Sequence, residues 1–243
     1  MKVNDFGRFV VGGGIAAMLA SVGCGGPRMV VPSGFDRDMD RMSTKGRGRS
    51  VAKEEEFGFG PYLVSNVDHT WKPSKGFEMI DGFKPSKESG YRFDFSGGGK
   101  RALVGKCALP AREKHKEIDG SVSVEEQKSA VACTCQMGTK SRGYLFVEDL
   151  AGEYDGPVVV GDVEVNATGI YKLENEKKVK VPVGFRLDDD NGPVAAVEIL
   201  PGKARVWMRS DLKKADRPPL ACLLSGLMLY DPPKVEEKKD KRQ

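Results

Sequence analysis

Histidine is nearly missing from this chain: His69, in "NVDHTW", and His115, in "REKHKE", are the two among 243 residues. Ser65 and Asp68 lie close to His69 in sequence, but a triad is defined by spatial geometry and not by adjacency. No G-x-S-x-G elbow is present, so hydrolysis has one thin candidate, His69. A phosphate loop is lacking too. "SGGGK" (96–100) is followed by Arg101 instead of Ser or Thr, falls outside the required frame, and reads as a hairpin loop. "LDDDNG" (187–192) is dense in carboxylates, yet it departs from the calcium-loop spacing and lacks its closing Glu; it reads as a hairpin turn. No fixed-period repeat is present, which weighs against a propeller or solenoid. Charge of one sign is also lacking. The 39 basic and 35 acidic side chains leave a formal +4 spread along the chain, which is no footprint of a nucleic-acid binder.

Long hydrophobic runs are absent as well, and the two short ones present are informative. Residues 9–22, "FVVGGGIAAMLASV", carry no charge and follow Lys2 and Arg8. Fourteen residues are too few to span a bilayer, which needs about 20, but they suit the h-region of an export signal. Three consecutive glycines (Gly12, Gly13, Gly14) would cost a core helix about 1 kcal/mol each relative to Ala. No A-x-A-like cleavage site follows; the run ends instead in Val22-Gly23-Cys24-Gly25. This stretch resembles the lipobox of bacterial lipoproteins, with small Gly23 before Cys24 and Ser21 standing where that pattern prefers an aliphatic residue. The resemblance implies a signal peptide over 1–23 and a diacylglycerol thioether on Cys24. Gly25 in place of Asp implies outer-membrane sorting. The expected location is the bacterial outer membrane, lipid-anchored, facing the periplasm or the surface.

Residues 24–56 show no buried pattern. "DRDMDRM" (36–42) suggests a short helix, and "STKGRGRSVAKEEE" (43–56) a polar tether whose "KGRGR" is a solvated stretch. The segment 57–232 is expected to fold as one mostly β domain, and 233–243 is a charged, disordered tail. Within the domain, strand-like runs bounded by turn residues lie at 57–65, 76–83, 90–96, 101–109, 129–137, 143–150, 156–166, 169–174, 180–188, 193–200 and 204–209. Tyr91, Phe93 and Phe95 alternate with Arg92 and Asp94, so one face is buried and one is wet. These eleven runs predict a mainly β fold, an antiparallel barrel or a β-sandwich.

The last run, "LACLLSGLMLY" (220–230), contains no β-branched residue and follows Pro218-Pro219, which suits a helix N-terminus. A helix apolar on every side must be surrounded by protein. Many strands followed by one such helix (183–230) are similar to the tubby-like β-barrel of tubby C-terminal domains, LURP-one proteins and phospholipid scramblases. That resemblance implies a single closed antiparallel barrel with the helix 220–230 inside. The alternative is a sandwich that the helix caps. No ligand-binding motif of that family is present, so no functional residue is carried over.

If Cys24 is the anchor, Cys107, Cys133, Cys135 and Cys222 remain, an even number suited to an oxidising compartment. Cys133 and Cys135 are two apart on one strand and share a face. One disulfide is expected, Cys107 with Cys133 or Cys135, and Cys222 reads as a small buried hydrophobe. Zinc is disfavoured because C-x-C is not the usual spacing and no His lies near. Asn166-Ala167-Thr168 fits a glycosylation sequon, which carries little meaning in a bacterial cell. The functional expectation is a non-enzymatic envelope lipoprotein with no cofactor, serving a binding or structural role with an envelope protein or lipid as partner. The alternatives are a phospholipid-interacting barrel and a cryptic periplasmic hydrolase using His69.

Overall fold

Twelve antiparallel strands close into a barrel with one helix inside it. The structure, a computed structural model, describes residues 26–48, 50, 56–73, 85–97, 102–110, 130–150 and 153–232. The strands are β1 (Met39–Lys45), β2 (Phe57–Phe59), β3 (Tyr62–Asp68), β4 (Pro85–Gly97), β5 (Leu103–Pro110) and β6 (Ala130–Met137). They continue with β7 (Lys140–Leu150), β8 (Glu153–Val160), β9 (Val163–Ile170), β10 (Gly184–Asp189), β11 (Gly192–Glu198) and β12 (Arg205–Arg209), followed by the helix α1 (Arg217–Leu229). Each strand pairs with its sequence neighbours, and β1 pairs with β12 to close the ring. Closure removes the unpaired edges that an open sheet would expose. The barrel and its interior helix are as expected; the sandwich is not formed.

Period-two alternation aims one face of each strand inward. Phe57 and Phe59, Tyr62 and Val64, Tyr91, Phe93 and Phe95, and Cys133 and Cys135 all join one core cluster with the helix. β8 repeats the pattern, with Tyr154, Val158 and Val160 buried and Glu153 and Pro157 exposed. Because wall residues surround α1, every residue from Pro219 to Leu229 is buried. That is the environment an all-round apolar helix requires.

Three expectations need correction. Residues 36–42 were expected to be helical and 43–56 a tether, but 39–45 form β1, paired with both β12 and β2. Its side chains are mostly polar because its outer side is wet; Met42 packs against the core and Thr44 is buried. The run 156–166 is not one strand. Gly161 (φ +58°) and Asp162 make a two-residue turn between β8 and β9, and β9 runs on to Ile170, so the run 169–174 is no separate strand; the run 57–65 is likewise divided at Gly60 and Pro61 into β2 and β3. The ordered chain also begins well before 57: residues 26–38 lie along the outside of the barrel. There Met29, Phe35, Ile170, Leu173, Val183, Ala196 and Trp207 form a second cluster, which is why β11 is buried on both faces. The expected strand 76–83, the signal 1–23, Cys24, His115 and the tail 233–243 lie outside the described residues.

Up-and-down connection gives the barrel two unlike ends. Tight turns at 60–61, 138–139, 161–162 and 190–191 share one, the hairpin end. The longer connections 171–183 and 199–204 lie at the other, the connector end, together with the end of β1. The helix starts at the hairpin end, where Asp216 touches Gly161, and finishes at the connector end.

Candidate functional site

The chemistry of this molecule is concentrated where the helix meets the wall. Cys107 and Cys133 stand directly opposite on β5 and β6 and form a disulfide with Cα atoms 4.1 Å apart. Cys135, two residues on and facing the same way, is bonded to Cys222 of the helix, with Cα atoms 6.2 Å apart. The expectation that Cys222 is a free thiol is therefore corrected, and there are two disulfides instead of one. Cys222 lies on the helix and not on a neighbouring strand, and it reaches Cys135 because the helix runs along the inner face of β6. Gly226, one turn beyond Cys222, marks the same contact. A Cβ there would sit 2.8 Å from both Cys107 Sγ and Cys133 Sγ, so only glycine lets the helix lie this close to the bridge.

The backbone groups at the helix ends have no partner within the helix and find partners outside it. At the start, Pro218 and Pro219 have no N–H, while the amides of Arg217 and Leu220 donate to the carbonyls of Lys213 and Asp216. At the finish, the Tyr91 hydroxyl donates to the Gly226 carbonyl at 2.7 Å, and the Tyr230 amide to that of Leu227 at 3.1 Å. Arg47, 8% exposed, donates to the carbonyls of Met228 (2.6 Å), Leu200 (2.6 Å) and Ile199 (3.0 Å). A cation at a helix C-terminus also complements the macrodipole. Burial pushes the Tyr91 phenol far above its ordinary pKa, so it stays a donor.

Among the residues with catalytic or metal-binding potential, the carboxylates of Asp68, Asp188 and Asp189 are held by neighbouring donors. Asp68 Oδ1 accepts from the hydroxyl and amide of Thr70 at 2.7 and 2.8 Å. These bonds hold its carboxyl below the usual range. His69 is half-buried beside the Tyr91 ring, with centroids 6.3 Å apart, and Ser65 is half-buried on β3. In 187–192, Arg186 binds both Asp188 oxygens at 2.6 Å, and Asp189 accepts from Arg209 and from the Asn191 amide. The stretch is the β10–β11 hairpin. Ser96 and Gly97 end β4, and 98–101 lie outside the described residues. Asn166 and Thr168 both donate to Asp155 on β8. Among the described residues, no group of three or more His, Cys, Asp or Glu is arranged to hold a metal, and no helix is long and apolar enough to cross a membrane.

One constellation gave no sequence signal. Glu198, 0% exposed on β11, accepts from Arg205 (3.0 Å), Arg28 (3.4 Å) and the Met29 amide (2.7 Å). Arg205 also reaches Glu174 and the Met29 carbonyl, both at 2.6 Å, and lies over the Trp207 ring. Burial opposes the charge of Arg205, but its bonds to Glu198 and Glu174 outweigh that and raise its pKa. Arg28 donates to the Lys203 carbonyl as well. The effect is to fasten residues 28–30 to the barrel, with backbone bonds from Val30 to Lys172 and from Glu174 to Arg28. Arg28 and Met29 lie 170 and 169 residues from Glu198, so spacing could not reveal these contacts.

Comparison of the chain with protein-family models, curated proteins and solved structures finds no match.

Proposed function

We propose that this chain is a non-enzymatic bacterial envelope lipoprotein, anchored at the outer membrane through Cys24, whose barrel serves a binding or structural role. The observation that carries this reading is the disposition of cysteine. Of the five in the chain, four are paired in two interior disulfides, and Cys24 is the one left over. Disulfides persist in oxidising compartments, which agrees with export, and a fifth cysteine beside the apolar run 9–22 agrees with a lipidation site. The barrel interior is filled by α1, so an envelope protein or lipid partner would meet the outer surface or an end of the barrel.

Intact-mass spectrometry of the native protein from membranes tests this, with thiols alkylated before reduction. A chain beginning at a lipid-modified Cys24, with the other four cysteines protected from alkylation, is the expected result. Cys24→Ala should remain an unprocessed, unlipidated precursor. An unmodified wild-type Cys24, or free thiols at Cys135 and Cys222, overturns the reading.

A further inference from the structure

We infer that the barrel lies directly against an anionic phospholipid bilayer with its connector end inward. It is held there by the anchor and by a cluster of lysines around the point where the chain leaves the fold. The inference rests on Cys24 being the anchor and concerns how the domain stands relative to it.

Two observations carry it. The first is the length of free chain. The sequence suggests a tether of some thirty residues, but Arg28 is already bound to Glu198 and Lys203, and Met29 is in the outer core. Four residue steps separate Cys24 from Arg28. Fully extended, they reach about 14 Å, which is short against the diameter of a barrel. The acyl chains would therefore pull the exit point close to the headgroups.

The second observation is what surrounds that exit. Residues 28–30 run between the connections 171–183 and 199–204. These connections carry Lys177, Lys178, Lys180 and Lys203, all exposed. The two acids of the connection 171–183 are in ion pairs, Glu174 with Arg205 and Glu176 with Lys172. A lipid anchor beside a polybasic cluster is a familiar two-signal arrangement, since each lysine near an anionic surface adds attraction. Here it would fix orientation as well as attachment.

The test is amine footprinting of the lipidated full chain in phosphatidylcholine vesicles, with and without phosphatidylglycerol, read by mass spectrometry. Lys177, Lys178, Lys180 and Lys203, with Lys45 and Lys72 at the same end, should be labelled several-fold less in phosphatidylglycerol vesicles than in detergent. Lys140 and Lys214 at the hairpin end should be unchanged. Raising the salt should weaken the protection. Changing the four connector lysines to Gln, or to Glu, should leave the anchor in place and expose Lys45 and Lys72. Equal labelling of both ends in a lipidated chain overturns the orientation but leaves the anchor. Persistent protection in the four-lysine variants removes their role. An intact mass without lipid removes the anchor itself, and the orientation with it.

Discussion

Cys135 and Cys222 join the wall of the barrel to the helix it encloses, so the central element is covalently part of the sheet around it. The two partners are 87 residues apart, against 26 for Cys107 and Cys133. In the chain-entropy picture, closing the longer loop restricts the unfolded chain more, by about 1 kcal/mol.

The paired substitution Cys135→Ala/Cys222→Ala should therefore cost on the order of 4 kcal/mol. Cys107→Ala/Cys133→Ala should cost about 3 kcal/mol. Urea denaturation of the oxidised proteins measures both. A larger loss for the short-loop pair would mean that packing around the sulfurs, not loop closure, sets the stabilisation.

Gly226→Ala tests whether the helix truly rests on the other disulfide. On an exposed helix this change stabilises by up to about 1 kcal/mol. Here the new Cβ would meet Cys107 Sγ and Cys133 Sγ at 2.8 Å, and both sulfurs are fixed by their bond. Overpacking of this kind costs about 1–3 kcal/mol, so the net effect should be a lower urea midpoint. A midpoint that rises would place the helix away from the bridge.

Tyr91 should give the barrel a particular response to alkali. Its phenol is raised when folded and near 10 when unfolded, so above about pH 10 the unfolded chain releases a proton that the native state keeps. Stability from the neutral phenol is therefore full below about pH 10 and falls as pH rises further. Tyr91→Phe should lose about 1–3 kcal/mol at neutral pH, because the buried Gly226 carbonyl loses its donor. The variant should also lose stability less steeply between about pH 10 and 11. Urea midpoints of both proteins across that range decide it; parallel slopes would count against a buried Tyr91.

Much of this architecture was legible from local pattern. Tyr91, Phe93 and Phe95 alternating with polar residues announced a one-faced strand, and 220–230 without a polar side announced a helix that needs walls. The remaining features have no local signature. β1, "MDRMSTK", is too polar to read as a strand, because its place comes from backbone pairing to β12 and β2 more than from apolar burial. The turn at Gly161-Asp162 was hidden by apolar residues running up to it from both sides. The Cys135–Cys222 bond and the Arg28–Glu198–Arg205 cluster depend on elements that meet only once the barrel has closed.

Arg47 belongs to that last group and yields the sharpest test of the helix terminus. It follows β1 directly and reads in sequence as one more charge in a solvated "KGRGR" stretch. In the fold its guanidinium is buried, spans the carbonyls of Ile199, Leu200 and Met228, and lies 6.0 Å from the Phe57 ring centroid. Arg47→Ala would leave these carbonyls short of a donor and open a gap beside Phe57. Because bonds from charged donors contribute about 1.5–3 kcal/mol each and are not additive, the loss should be about 3 kcal/mol or more. Lys at this position keeps the charge and its favourable place at the helix C-terminus. It presents one ammonium instead of a planar fork, so Arg47→Lys should recover less than half of that loss. Urea midpoints give the totals, and amide exchange over the final turn of α1 locates them. Full recovery by Lys would assign Arg47 to charge alone; slow exchange in Arg47→Ala would mean that the helix end is held by other groups.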